Sequence, residues 1–161
     1  MAAAATKNIV IKNMVEKIKG DITKVEADVI VNAANTGLMH GGGVARAIAE
    51  AAGEILNEES RKIGFVPLGE FTLTSAGKLK AKKVLHIPTV DYRARTVITY
   101  DQLRLAWRKA LAFCDNMGWY KIASPLLGAG VAGLDAAKIE KMLMDEAMNF
   151  PNLTVKIISL N

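Results

Sequence analysis

Two glycine-rich stretches are the part of the sequence best suited to chemistry. One is GAGVAG, from Gly128 to Gly133, which fits the G-x-G-x-x-G spacing that holds a pyrophosphate in many proteins. The other is HGGGV, from His40 to Val44. Glycines leave backbone N–H groups unobstructed, and a helix N-terminus adds a partial positive charge. Both stretches are therefore candidate sites for a phosphate or another anion.

Each stretch follows a predicted strand and leads towards a predicted helix. The runs ADVIVNAAN and YKIASPLL are densely apolar, which is typical of buried strands. Apolar residues at helical spacing run from Gly43 to Ile55, and a second such pattern begins after Asp135, a candidate helix cap.

Further strands are predicted at NIVIKN, MVEKIKG, EFTLTSAG, KKVLHIPT and LTVKIISL. The fourth of these is expected to stop at Pro88. Thr99 and Gln102 form a capping-box pair ahead of another helix. Strands that alternate with helices predict an α/β fold, a three-layer α/β/α sandwich around one mixed, mainly parallel sheet. Ligands of such sheets bind at the carboxyl ends of strands, where both glycine stretches lie.

The composition indicates one intracellular domain. We expect residues 1–7 to be a disordered end and residues 8–161 to form a single domain. No signal peptide or membrane span is recognisable, and Cys114 is the only cysteine, which together favour the cytoplasm. Cys114 is interpreted as an inert buried thiol. With one Cys and two His, no thiolate- or imidazole-rich metal site is expected, and carboxylate-bound magnesium is the alternative that stays open. No cofactor is expected.

The net charge of +5 favours acidic partners. Lysines cluster in GKLKAKK (Lys78, Lys80, Lys82 and Lys83), but no aromatic residue lies among them. A solvated lysine face is therefore preferred to a nucleic-acid site, and nothing indicates a membrane partner.

Two common phosphate-binding classes do not fit. A dinucleotide dehydrogenase needs its glycine turn early, with an acidic residue ending the next strand. After Gly133 only one helix and one strand follow, and that strand ends without Asp or Glu. No Gly-Lys-Ser/Thr follows either stretch, so a P-loop is also excluded.

The sequence instead resembles the macro domain family, a group of ADP-ribose-binding modules, and within it the archaeal and viral type. The resemblance rests on GDITKVEADVIVNAANTGLMHGGGVARAIAEAAG, TSAGKLKAKKVLHIPT and SPLLGAGVAG, in that order. It implies that the glycines hold the diphosphate of ADP-ribose.

The resemblance also implies a role for individual residues. Asp21 and the Ile22 amide would contact adenine, and Asn35 would hold the distal ribose. Asp21 is otherwise a turn or cap residue, and Asn35 otherwise a left-handed turn residue. The first loop would be formed by Gly41, Gly42, Gly43 and Val44, and the second by Gly128, Ala129, Gly130, Val131, Ala132 and Gly133.

Three departures from the family pattern bear on activity and affinity. Ala45 stands where many hydrolases of the family have Asp, so a carboxylate base is absent there. Ala132 replaces an aromatic residue against the distal ribose, and the aromatic residue that often follows the last strand is missing. Both aromatic losses are expected to weaken binding.

The two histidines are interpreted differently. His40 is a candidate catalytic residue together with Asn35, as a helper that orients the ribose or assists a proton transfer; equally, it could only brace its loop. His86 is interpreted as a hydrogen-bonded core histidine.

Three functions follow from these observations. The first is an enzyme that hydrolyses ADP-ribosyl esters, either mono-ADP-ribose on protein Glu or Asp or O-acetyl-ADP-ribose, which it would deacetylate. The second is a non-catalytic reader of ADP-ribosylated proteins, and the third an RNA- or poly(A)-binding module. The first is preferred.

Overall fold

Seven strands and four helices make up residues 14–160, the part of the chain that a computed structural model describes. The strands are β1 (Met14–Lys19), β2 (Val29–Asn35), β3 (Thr72–Ser75), β4 (Lys83–Asp91), β5 (Thr96–Val97), β6 (Lys121–Ser124) and β7 (Thr154–Ser159). The helices are α1 (Gly43–Ala52), α2 (Glu54–Ile63), α3 (Tyr100–Met117) and α4 (Ala136–Ala147), and a short 3-10 turn covers Ile22–Lys24. The strand predicted at NIVIKN lies outside the described residues.

The strands form one sheet in the order β1-β7-β6-β2-β4-β3, with β5 paired to β4. The five strands from β1 to β4 in this order run parallel, whereas β3 and β5 are antiparallel to β4. The sheet is thus mixed and mainly parallel, as predicted.

Helices cover both faces of this sheet. On one face, Trp107 of α3 and Leu143 of α4 pack in one buried cluster with Val31 of β2. On the other face, Ile48 of α1 packs in a second cluster with Ile30 of β2. The three-layer sandwich and the burial of β2 on both faces are confirmed.

The single apolar stripe predicted from Gly43 to Ile55 is wrong, because two helices occupy this stretch. Gly53 has a φ of 97°, in the left-handed region, and it separates α1 from α2. The break ends the stripe, and the Ile55 side chain is 44% exposed. Hydrophobic spacing could not reveal the break because an isolated glycine is tolerated within a helical pattern.

Strand β4 continues through Pro88, where the sequence predicted its end. Pro88 lies opposite Ala34 of the parallel neighbour β2. On the other side of β4, β3 pairs only as far as His86 and β5 pairs only from Val90. A residue without an N–H therefore costs no antiparallel ladder bond at this position.

The helix caps and the buried cysteine agree with the predictions from the sequence. The Thr99 hydroxyl accepts from the Gln102 N–H at 3.1 Å, and the Gln102 side chain accepts from the Thr99 N–H at 2.9 Å, which completes the capping box of α3. Asp135 caps α4 by accepting from two backbone N–H groups. Cys114 is buried in α3, and burial raises the pKa of its thiol to about 12, so the thiol is inert as predicted.

Candidate functional site

The parallel strands bring the candidate residues to one end of the sheet. Asp21 follows β1, the first glycine loop follows β2, and the second follows β6. Because β2 and β6 are hydrogen-bonded neighbours, the two glycine loops leave the sheet from strands about 4.8 Å apart. The end of β7 lies between β1 and β6 at this same end of the sheet.

A mainly apolar cleft of about 350 Å³ opens there. Its lining comes from the segment after β1, the start of α1, the segment after β6 and the end of β7: Gly20, Asp21, Ile22, Gly43, Val44, Ala47, Pro125, Leu126, Ile158, Ser159 and Leu160. Four of the predicted site residues line this cleft, namely Asp21, Ile22, Gly43 and Val44. The others lie at the end of β2 and on the two glycine loops.

Asp21 is both a cap residue and a wall of the cleft. Its Oδ1 accepts from the Thr23 N–H at 2.9 Å and from the Thr23 hydroxyl at 2.6 Å, which closes the 3-10 turn. These two hydrogen bonds lower the pKa of the Asp21 carboxyl, so it is ionised at neutral pH. Its Oδ2 has no hydrogen-bond partner among residues 14–160 and remains free to accept one.

Asn35 is the last residue of β2, and its side chain is hydrogen-bonded to the loop that follows. Its side-chain amide donates to the Met39 carbonyl at 2.6 Å and accepts from the Met39 N–H at 3.0 Å. Leu38, between them, adopts a positive φ of 54°. The left-handed residue of this turn is therefore Leu38, whereas Asn35 remains in the strand with its amide fixed in orientation.

The first glycine loop presents backbone N–H groups at the start of α1. Those of Gly42, Gly43 and Val44 have no hydrogen-bond acceptor in the described part of the chain. Helices α3 and α4 have side-chain caps, whereas α1 and α2, which both follow a glycine, have none. A Cβ added at Gly41 or Gly42 would meet nothing within 4 Å, so packing does not explain these glycines.

The second glycine loop is a compact turn between β6 and α4. Gly128 has a φ of 86°, and its carbonyl accepts from the Leu134 N–H at 2.9 Å. The N–H groups of Gly130, Val131 and Ala132 have no acceptor among residues 14–160. Each loop thus offers at least three N–H groups that are unpaired among the described residues, an arrangement suited to an anion.

His40 is anchored beneath the first loop. Its Nε2 lies 3.0 Å from the Ser60 hydroxyl, and its Nδ1 lies 3.5 Å from the side-chain nitrogen of Asn32. Partial burial lowers the pKa of His40, so its ring is neutral at pH 7. The bracing role is visible in these contacts; a contact with the Asn35 side chain is not among them.

His86 lies in the core, as predicted. Its Nδ1 accepts from the Asn32 amide at 3.0 Å, and its Nε2 lies 2.9 Å from the Thr74 hydroxyl. Burial, followed by the neighbouring His40, lowers the pKa of His86 to about 3. The two rings stack with their centroids 5.1 Å apart.

The sequence did not reveal the polar cluster around these rings. Asn32, Ser60 and Thr74 are buried and hold both histidines, and Asn32 Oδ1 is buried without a partner among the described residues. The only sequence signal was a buried-strand pattern containing an asparagine, because the hydroxyl partners come from α2 and β3, far away in the chain.

The comparisons with known proteins identify the family. The family model described as "Macro domain" matches residues 31–143. The chain belongs to the macro domain family. A relative from Sulfurisphaera tokodaii is 44% identical over 155 residues, which cover 91% of this chain and 84% of that protein.

Solved macro domains have the same fold as this one. The structure of an Oceanobacillus iheyensis macrodomain mutant with ADPR has a TM-score of 0.77 and 28% identity, and the match covers 90% of this macro domain and 84% of that chain. A Trypanosoma brucei macrodomain in complex with ADP-ribose has a TM-score of 0.81 and 28% identity, with 91% and 64% of the two chains covered.

Metal-binding clusters, membrane-spanning helices and the lysine cluster also bear on the function of this macro domain. No group of three or more His, Cys, Asp or Glu side chains within residues 14–160 could hold a metal ion. No helix in that range is long and apolar enough to cross a membrane. The lysine cluster lies at the other end of the sheet, where the Lys80 carbonyl accepts from the Ala27 N–H just before β2.

Proposed function

We propose that this macro domain binds ADP-ribose across the carboxyl end of its sheet. Adenine would occupy the apolar cleft, with its amino group donating to the free oxygen of Asp21 beside Ile22. The diphosphate would accept from the unpaired N–H groups of the two glycine loops, and the distal ribose would lie at Asn35. The observation that carries this proposal is the pair of loops, each with at least three N–H groups unpaired among the described residues, next to the cleft.

The proposal is supported by the ligands of similar proteins. The Oceanobacillus iheyensis and Trypanosoma brucei macrodomains were solved with ADPR and ADP-ribose. Leu160 lines the cleft at the place where the family often has an aromatic residue. An aliphatic side chain covers adenine without π-stacking, so the affinity should be lower than with an aromatic residue.

We further propose that the protein hydrolyses ADP-ribosyl esters, either on protein Glu or Asp or in O-acetyl-ADP-ribose. For ADP-ribose linked to protein Glu or Asp, the oxygen of a water molecule would bond to the anomeric carbon of the distal ribose as the ester C–O bond breaks. The carboxylate leaves with the bonding electron pair, and the proton of the water passes to the ligand's phosphate or to solvent. A carboxylate needs little acid assistance to leave, so Ala45 in place of Asp does not prevent this reaction.

Positioning would then supply most of the catalysis. The Met39 backbone fixes the Asn35 amide, and the loops fix the diphosphate through dipoles that need no reorganisation. The neutral His40, bonded to Ser60, would be a helper through loop geometry rather than an imidazolium acid.

The test is to incubate the protein with mono-ADP-ribosylated proteins of two kinds. Release is expected from Glu- or Asp-linked material and little from serine-linked material, because a serine alkoxide leaves poorly without an acid. Tight ADP-ribose binding without any release over hours would favour the reader function, which Ala45 at the position of the base also supports. RNA binding through the lysine cluster would instead collapse steeply as salt is raised.

A further inference from the structure

A surface that the proposed site does not use lies next to the first glycine loop. We call it the distal surface, formed by Met39, Phe65, Tyr92, Arg93 and Arg95. Its three segments are joined by backbone hydrogen bonds: the Thr36 N–H donates to the Val90 carbonyl at 3.0 Å, and the Val66 N–H donates to the Thr36 carbonyl at 2.9 Å. It is therefore one continuous piece of the fold.

The distal surface exposes three large apolar or aromatic side chains to solvent. The side chains of Met39, Tyr92 and Phe65 are 72%, 62% and 43% exposed. The Arg93 guanidinium lies 4.5 Å from the centroid of the Phe65 ring. Stacking of this kind orders an arginine while leaving the N–H groups at its edge available.

The two arginines of this surface differ from the other arginines in having no anion partner. Arg93 and Arg95 are exposed, and neither makes an ion pair with any residue in the described range 14–160. The remaining arginines each lie between 2.8 and 3.1 Å from a carboxylate: Arg46, Arg61, Arg104 and Arg108. Two unpaired guanidinium groups beside exposed aromatic residues form a site ready for carboxylates.

The position of the distal surface indicates which part of a bound ligand would contact it. The Met39 backbone is hydrogen-bonded to the Asn35 side chain, so the distal surface directly adjoins the proposed site. On the proposed function, on which this inference rests, Asn35 holds the distal ribose. Any chain attached to that ribose leaves the site next to Met39.

We propose that the distal surface docks an acidic polypeptide segment, the one that carries the ADP-ribose group. Arg93 and Arg95 bind its carboxylates, and Tyr92 and Met39 pack against its apolar atoms. The site then selects ADP-ribose in acidic surroundings over ADP-ribose in neutral ones, although free ADP-ribose never touches these residues.

A nucleic-acid partner fits this surface less well. Single-stranded nucleic acid needs a basic groove with several aromatic faces on which bases stack. Arg93 already covers one face of Phe65, which leaves Tyr92 as the exposed platform. The lysine cluster cannot extend the basic track, because the seven residues of β2 separate it from Asn35 by about 20 Å.

The test compares two peptides that carry ADP-ribose through a carbon linkage that water cannot cleave. One peptide has Glu and Asp around the modified position, and the other has Gln and Asn. At low salt the wild-type protein is expected to bind the acidic peptide about fivefold more tightly, the size of two exposed ion pairs. The double variant Arg93→Gln/Arg95→Gln should lose this preference.

A matched control removes two positive charges at the other end of the sheet. Lys78→Gln/Lys80→Gln should keep the preference, and all three proteins should bind free ADP-ribose equally, which also shows that they are folded. Equal binding of the two peptides by the wild-type protein would overturn the docking proposal alone. Loss of the preference in the lysine variant, or a tighter and arginine-dependent binding of ADP-ribose linked to an oligonucleotide, would overturn it as well. No binding of free ADP-ribose at all would reject the proposed function and this inference together.

Discussion

At Asp21, one carboxylate oxygen holds the 3-10 turn and the other has no hydrogen-bond partner among residues 14–160. Oδ1 accepts from the Thr23 N–H and the Thr23 hydroxyl, and Oδ2 accepts from no donor among the described residues. We expect Asp21→Ala to weaken ADP-ribose binding about tenfold or more, since a charge-assisted hydrogen bond is lost. Calorimetry at neutral pH measures this.

Asp21→Asn separates the two roles of this residue. The asparagine keeps one acceptor, which can hold the 3-10 turn, but it places an NH2 donor where the carboxylate would accept from the adenine amino group, so the turn should be kept while the affinity falls about as far as in Asp21→Ala. An affinity for Asp21→Ala equal to that of the wild type would remove Asp21 from the site.

Asn35→Ala is expected to slow ester hydrolysis far more than it weakens ADP-ribose binding. On the proposed function, the amide would act where the transition state forms, whereas the diphosphate and adenine would be held elsewhere. Single-turnover release from Glu-linked substrate gives the rate, and calorimetry gives the affinity. A variant that loses both in equal proportion would show that Asn35 only holds the loop through Met39.

Sequence reasoning at this scale succeeded where a residue's role follows from its neighbours in the chain. Asp21 and Asp135 sit at caps that two or three following residues complete. It failed for Asn32, whose partners His40 and His86 depend on how β2, β4 and the first loop fold together. Burial could be predicted there, but the partner of a buried polar group could not.

At the scale of elements, the N-terminus of helix α1 has no side-chain cap. Gly42 precedes it with an extended backbone, φ −161° and ψ 168°, that any residue adopts, and a Cβ there has room. Gly42→Ser would therefore supply the missing cap and raise the free energy of unfolding by about 0.3 kcal/mol. The hydroxyl would also take an N–H group that the diphosphate needs, so ADP-ribose binding should fall about tenfold.

Asp135→Ala is the matched control for this prediction. It removes the cap of α4 and should lower the free energy of unfolding by about 1 kcal/mol, with little change in ADP-ribose affinity. Urea titration gives the free energy of unfolding of each variant, and calorimetry gives its affinity for ADP-ribose. Unchanged affinity in Gly42→Ser would show that the open N-terminus does not bind the ligand.

The same contrast explains which elements the sequence could predict. The caps of α3 and α4 are local, so both helix starts were visible. The break at Gly53 and the continuation of β4 through Pro88 depend on neighbouring elements, namely the turn from α1 to α2 and the gap between β3 and β5. Both predicted boundaries were wrong for that reason.

At the scale of the whole molecule, the buried histidines make stability depend on pH. His86 has a pKa of about 3 in the folded protein against 6.5 in the unfolded chain. The unfolded state therefore binds a proton below pH 6.5 that the folded state does not, and stability, fully present above pH 6.5, is lost as the pH falls. Between pH 7 and pH 5 the free energy of unfolding should drop by about 1–2 kcal/mol.

Urea denaturation at both pH values measures this drop, and His86→Gln supplies the comparison. The variant is less stable overall, but its stability should change much less between pH 7 and pH 5 because the titrating group is gone. An unchanged pH dependence would mean that His86 is not the group responsible. His40, whose pKa is also lowered, then becomes the candidate.

The place of β7 in the sheet sets an order of events during synthesis. β7 is last among the described strands to be made, yet it lies between β1, the earliest of them, and β6. Until β7 emerges, β1 has no partner among the other described strands, and the wall of the cleft that Ile158 and Leu160 provide does not exist. A growing chain can assemble β2, β4 and the first glycine loop, but the cleft is complete only when β7 pairs with β6 and joins β1 to the sheet.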